Sequence, residues 1–211
     1  MAADSQASGP VLQLLASALQ LWVRQQCQAV QSLDIQLEGS ALGLLRGRLQ
    51  GVRLQATQVV YQGLQLERAE LRSGAIAVQL GHLWRGQPLE LDQAFTVRGL
   101  VGFTASGLSQ SLGRPEWLPL AESLGEQLLE GQRVTAFRTE AAHLVLSAAA
   151  ADGGRPVECR TTIGADGGTI AIRRLDGAAV VHLPMDPAIR IERASLEGEL
   201  IVLEGEALVS P

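Results

Sequence analysis

The chain switches between two spacings of apolar residues. Residues 1–9 are small and polar, and are expected to be disordered. Pro10 then stands at a first helical position, and Val11, Leu12, Leu14, Leu15, Ala18, Leu19, Trp22 and Val23 follow at helical spacing. Gln13, Ser17, Gln20 and Arg24 fall on the other side, which predicts an amphipathic helix over residues 10–30. At SLDIQLEG the period drops to two. Leu33, Ile35 and Leu37 alternate with Asp34, Gln36 and Glu38, the mark of a strand with one buried face. Strand patterning runs over 32–103 as a meander, interrupted by a turn at GHLWRGQP.

Helical spacing returns over 104–130. Thr104 is a candidate N-cap, Leu108 and Leu112 lie four apart, and Gly113 can close that helix. Trp117, Leu120, Ala121, Leu124 and Leu128 make a second stripe, with Pro119 in its first turn and Gly131 at its end. A second meander is expected over 132–209, punctuated by Asp152-Gly153, Asp166-Gly167, Asp176-Gly177 and the Pro184 to Pro187 break. The order helix, meander, two helices, meander predicts an α+β fold with antiparallel sheet, in a single domain over 10–211.

One stretch breaks the simple alternation. In LQLERAELRS, Leu64, Leu66, Ala69 and Leu71 step by two, three and two. The beat extends outward, because Leu49, Leu54, Val59, Leu64, Ala69 and Gly74 are each five apart. A pentapeptide coil would give this spacing. A coil must stack several turns to bury a core, however, and the array stops near residue 80. The preferred expectation is a meander whose strands are bent by β-bulges, so that the sheet twists strongly round a helix.

Composition narrows the picture. Apolar residues make up 46 % of the 211, but aromatics only 3 %, so the core must be aliphatic. All 17 basic residues are Arg, and the net charge is −5. Nucleic acid is an unlikely ligand for such a chain, and Arg46, Arg48, Arg53, Arg68 and Arg72 are interleaved with Glu67 and Glu70. Two cysteines, Cys27 and Cys159, are too few for a disulfide framework and read as buried thiols in a reducing compartment. The start of the chain reads as neither a secretory signal nor a spanning helix. The expected location is the cytoplasm, or a membrane surface as a peripheral protein.

Reaction chemistry is hard to place. His82, His143 and His182 are far apart, without a second ligand at metal spacing. HExxH, GxSxG and P-loop patterns are absent, and GADGGT reads as a hairpin turn. Glu122, Glu126 and Glu130 lie opposite the apolar stripe, as a solvated face does. The expectation is a non-enzyme with no cofactor and no metal.

Amphipathic surfaces remain. The first helix can cover a concave sheet or lie on a bilayer, and packing on the sheet is preferred. Between two such helices and a curved sheet there is room for an aliphatic groove suited to acyl chains. Its candidate lining is Leu15, Leu19, Trp22, Trp117, Leu120, Leu124 and Leu128. The alternative is a protein–protein interaction module, with a pentapeptide-like or meander surface and no ligand cavity.

Three segments carry a resemblance: GVRLQATQVVYQGLQLERAELRSGAIAVQL, RGQPLELDQAFTVRGLVGFTASGLSQSL and LPMDPAIRIERASLEGELIVLEGEALVSP. Together they resemble the LmeA-type phospholipid-binding family, and more narrowly its cyanobacterial branch, long carried as a domain of unknown function. The resemblance implies a fold similar to tubular lipid-binding (TULIP-like) domains, in which a strongly twisted antiparallel sheet wraps helices. It implies binding of a lipid or other hydrophobic ligand rather than catalysis, with a membrane surface as a further partner. The oligomeric state is left open. Many members of that family are exported or lipid-anchored, whereas no signal peptide or lipidation cysteine is evident near this start.

Overall fold

The computed structural model describes residues 10–40, 42–43, 46–77, 92–149, 155–177 and 179–210. The expected disordered segment 1–9, the GHLWRGQP turn and the Asp152-Gly153 turn lie outside the described residues.

Helix α1 (Pro10–Gln26) leads into β1 (Ala29–Glu38). The helix therefore ends four residues before the expected Val30. Cys27 closes its last turn by donating to the Arg24 carbonyl, and Ala29 and Val30 are already paired with Val60 and Val59. Ladder hydrogen bonds win over the helical pattern at this β-branched position. The short strands β2 (Arg48–Leu49) and β5 (Ile76–Ala77) pair with each other, flanking β3 (Gly51–Tyr61) and β4 (Leu64–Ser73). Strand β6 (Phe95–Thr104) enters helix α2 (Ala105–Leu112) directly. The Thr104 side chain caps α2 by accepting from the Gly107 amide. A 3₁₀ turn (Pro115–Trp117) and helix α3 (Leu118–Leu128) follow. Then come β7 (Ala136–Glu140), β8 (His143–Ala148), β9 (Val157–Asp166), β10 (Thr169–Arg174) and β11 (Val180–His182). The last pair is β12 (Ile189–Glu197) and β13 (Leu200–Val209).

The fold is α+β, with open antiparallel sheets that do not close into a barrel. A six-stranded sheet runs in the order β1-β3-β4-β6-β13-β12, and a five-stranded sheet in the order β11-β10-β9-β8-β7. The second meander is thus divided. Residues 136–182 build a sheet of their own, while the terminal hairpin returns to pair with β6 from Leu200 opposite Thr104 to Val209 opposite Phe95.

The five-residue beat resolves as the β3–β4 hairpin, not a coil. Val30, Val59 and Leu66 lie opposite one another, as do Leu33, Ala56 and Ala69, so each strand takes a three-residue step between the same two rows. Gln58 falls between them with φ 47°, unpaired in the register with either neighbour, yet the register is the same on both sides of it. The phase reset is a crease shared by three strands. The register shift of a bulge occurs instead in β12, between Ile191 and Arg193.

Two glycines curl the six-stranded sheet. The inward row Ile35, Leu54, Leu71, Gly99, Gly205 and Ile191 spans all six strands. A methyl group on Gly99 would collide with the Leu71 side chain and lie 2.7 Å from the Glu70 carbonyl oxygen. One on Gly205 would collide with the Arg190 carbonyl oxygen and lie 3.1 Å from the Ile191 Cα. Neighbouring backbone thus approaches on the apolar face, and the sheet folds toward that face at both points.

The main core fills the space between the two sheets. Leu112, Leu124 and Leu128 from the helices meet Phe103 and Ile201 from one sheet and Leu144, Leu146 and Ile172 from the other. Two serines fasten α2 between the sheets. Ser111 Oγ accepts from the Gln65 amide of β4, and Ser109 Oγ from the Phe137 amide of β7. Ser111, nearly inaccessible, also donates to the Gly107 carbonyl, so its hydroxyl is satisfied in both senses. At the end of α3, Arg174 donates to the Leu128 carbonyl at 3.0 Å, compensating the negative helix terminus, and is itself gripped by both Asp176 oxygens.

Gly99→Ala and Gly205→Ala should each lower stability by about 1–3 kcal/mol through overpacking against backbone. Gly164→Ala, where a Cβ meets nothing within 4 Å, should stay within about 0.5 kcal/mol of wild type. Urea denaturation of the three variants checks the ranking.

Candidate functional site

The seven residues expected to line a groove divide into separate environments. Leu19 packs with Val23 and Cys27 of α1 on the cluster formed by Leu33, Ile35, Ala56 and Val59. Leu15 is half-buried on the same helix. Trp22 points the other way and is 57 % exposed, beside Leu21 at 61 %. Helix α1 is apolar on more than one side, so helical spacing alone could not choose the face that meets the sheet.

Trp117 and Leu120 are half-buried against the main core. The Trp117 indole also donates to the Gln62 carbonyl at 3.0 Å, tying the 3₁₀ turn to the β3–β4 turn. Leu124 and Leu128 lie inside the core, at 1 % and 0 % exposure.

Between the clusters lies the middle of the curled sheet. Leu66 packs against both clusters and is itself half-buried. Leu54 and Leu71 in one row, and Val101 and Leu203 in the next, are also half-buried, while the alanines Ala56 and Ala69 beside them and the row ends Leu33, Ile35, Ile191 and Ala194 are buried. None of these central residues is among the seven expected to line the groove. Their alternation was visible, but which strands would stand in the middle of the sheet was not.

The opposite face is charged. Arg53, Arg72 and Arg98 lie directly opposite one another, an arrangement that like charges disfavour. Glu38 pairs with both Arg53 and Arg72, and Glu206 with Arg98, which offsets the repulsion. A depression of about 430 Å³ lies here, lined by these arginines with Gln55, Glu70, Glu192 and Glu204, and between them by Leu54, Leu71, Gly99, Leu100 and Gly205.

The His182 Nε2 is 3.1 Å from Asp166 Oδ2, and Arg173 donates to the same oxygen at 2.7 Å. Hydrogen bonds from His182 and then Arg173 hold the Asp166 carboxyl below the usual carboxylate range. The trio is half-exposed. His143 keeps its Nδ1 buried, without a hydrogen-bond partner among the described residues, and His82 lies outside them. Burial pushes up the thiols of Cys27 and Cys159, which belong to different clusters. Among the described residues, no group of three or more His, Cys, Asp or Glu side chains is placed to hold a metal ion, and no helix is long and apolar enough to cross a membrane.

The family model described as LmeA-like phospholipid-binding matches residues 7–206, nearly the whole chain. The chain belongs to this family. No curated protein and no solved structure matches. Lipid binding is therefore its general function, lipid its class of partner, and a binding protein rather than a catalyst is what membership in the LmeA-like family suggests.

The Asp166 cluster has a defined pH behaviour. A depressed folded-state pKa contributes stability above the ordinary carboxylate pKa, and that stability is lost as pH falls through the folded value. Carboxyl-carbon NMR titration should place the Asp166 midpoint below that of a free aspartate, and Arg173→Gln should move it upward.

Proposed function

We propose that the protein holds a phospholipid or another hydrophobic ligand in an apolar groove between the six-stranded sheet and the helices, without catalysing a reaction. The observation that carries this reading is the half-buried middle of the apolar sheet face, between two buried clusters. The floor is Leu54, Leu66, Leu71, Val101 and Leu203. Leu15 and Leu19 of α1 stand as one wall, and Trp117 and Leu120 as the other. Leu124 and Leu128 support the second wall from within the core. Aliphatic side chains of this kind present an adaptable surface to an acyl chain, and the two glycines of the sheet give the concavity such a ligand needs. Residues 10–211 act as one lipid-binding unit, because β6 and the terminal hairpin share a sheet with the strands beneath α1. The protein works in the cytoplasm or on a membrane surface, where it collects its ligand.

Native mass spectrometry after gentle purification should find co-purifying lipid. Leu66→Trp, which fills the join between the clusters with a larger ring, should lower lipid occupancy several-fold with the circular dichroism spectrum retained. Protein that is repeatedly lipid-free, and takes up no lipid from liposomes, would sink the proposal. A filled interior together with a stoichiometric protein partner would favour an interaction module instead.

A further inference from the structure

The exposed large apolar side chains of the six-stranded sheet and α1 gather at its two ends. Leu21, Trp22 and Tyr61 lie toward the end where β3 turns into β4, and Leu42, Ile189 and Leu208 toward the other. The first end is aromatic. The protein has three Trp and one Tyr, and three of those four, Trp22, Tyr61 and Trp117, are found there.

Two segments converge on the turn Tyr61–Gly63. From one side, Gln28, just past α1, donates its amide to the Val60 carbonyl and accepts from the Gly63 amide. From the other, the Trp117 indole donates to the Gln62 carbonyl. A Cβ on Gly63 would lie 3.5 Å from Glu116 and 3.6 Å from Arg114, so the 3₁₀ turn is tight against it. Leu21 and Trp22 sit in the last turns of α1, on its solvent side. Tyr61 is 45 % exposed at the tip itself.

Arg53, Arg72, Arg98, Arg138, Arg160, Arg173, Arg174 and Arg193 all face carboxylates. Arg24 and Arg114 are exposed and, among the described residues, have no carboxylate within salt-bridge distance, a state that Arg46, Arg48, Arg133, Arg155 and Arg190 share elsewhere, and Glu116 also lies at this end, so the exposed rings of Trp22 and Tyr61 are what set it apart. Exposed Trp and Tyr rings beside a Leu and two unpaired guanidinium groups match the headgroup region of a bilayer. Amphipathic rings settle there, and arginine meets lipid phosphate.

We propose that this end, built from Leu21, Trp22, Tyr61, Arg24 and Arg114, docks the protein on a phospholipid bilayer. The proposal rests on the lipid-binding reading above, and gives the protein the surface through which ligand passes between bilayer and groove. Insertion is shallow, through a few side chains, so docking is reversible.

The test is co-sedimentation with vesicles of phosphatidylcholine and phosphatidylglycerol, using the full chain. Wild type should co-sediment, and less so at high salt. Leu21→Ser with Tyr61→Ser should lower the bound fraction about ten-fold or more, while native mass spectrometry finds the lipid content of the soluble protein unchanged. Leu208→Ser, at the opposite end, should bind as wild type does. The proposal is overturned if wild type does not co-sediment, if the double variant binds normally, or if Leu208→Ser alone abolishes binding. A dimer in analytical ultracentrifugation that the double variant dissolves would also overturn it, by showing that a second copy covers the patch. Loss of lipid content in wild type, with vesicle binding intact, would count against the groove and leave the docking surface standing.

Discussion

The pairing of β13 with β6 is the contact on which the rest of the molecule depends. It runs from Leu200 opposite Thr104 to Val209 opposite Phe95 in one unbroken register. Helices α2 and α3 and the whole five-stranded sheet lie on the chain between those strands. They form one long excursion that leaves the sheet at Thr104 and returns at Leu200. Closing so long a loop carries an entropic cost that the ladder and the apolar rows beneath it must offset. Once it is closed, α2 lies against β4 and β6 on one side and β7 on the other, and β12 packs directly on β9 and β10. The second sheet then covers the helices from the other side, and Ile191 anchors it by donating to the Gly168 carbonyl at 2.8 Å.

Curvature is the second constraint, and it follows from where side chains are missing. Gly99 and Gly205 stand side by side in an otherwise aliphatic row, and backbone from β4 and β12 folds in over them. A flat sheet of the same composition would expose its apolar face evenly. The curled sheet instead has buried ends, under α1 and under the main core, and a half-buried middle. The same geometry separates two chemistries by a single residue step. Leu54 and Leu71 lie on the apolar face, while their neighbours Arg53 and Arg72 share Glu38 on the other.

The candidate site was partly legible. Leu19, Leu120, Leu124 and Leu128 could be assigned to apolar faces from helical spacing, and each does pack inward. Trp22 could not, because α1 carries apolar residues round much of its surface, and only docking on β1 decides which side is covered. The half-buried residues Leu66, Val101 and Leu203 carried the right alternation without any sign that they would become neighbours. Their proximity comes from pairings between distant segments, which periodicity does not encode. The hairpin at β9–β10 was readable for the opposite reason. Its turn, Gly167 and Gly168 at φ 62° and 86°, is local chemistry, with both residues in the left-handed region that a tight hairpin needs.

The sequence by itself determined the class of the fold and the kind of surface each element would bury. Period-two and helical spacings are local properties, and so are caps such as Thr104 and turns such as Gly167-Gly168. The stretch LQLERAELRS likewise announced a phase reset, in the step from Leu66 to Ala69. Only the tertiary structure decided what that reset was: a crease running through β1, β3 and β4 at one level, centred on Gln58, with no slip in register. It also decided that the second meander would split, sending β12 and β13 back to β6. The reason is physical. A strand's own pattern fixes which side is apolar, but its neighbour is chosen by the total burial and hydrogen bonding of the closed sheet, a sum over segments far apart in the chain.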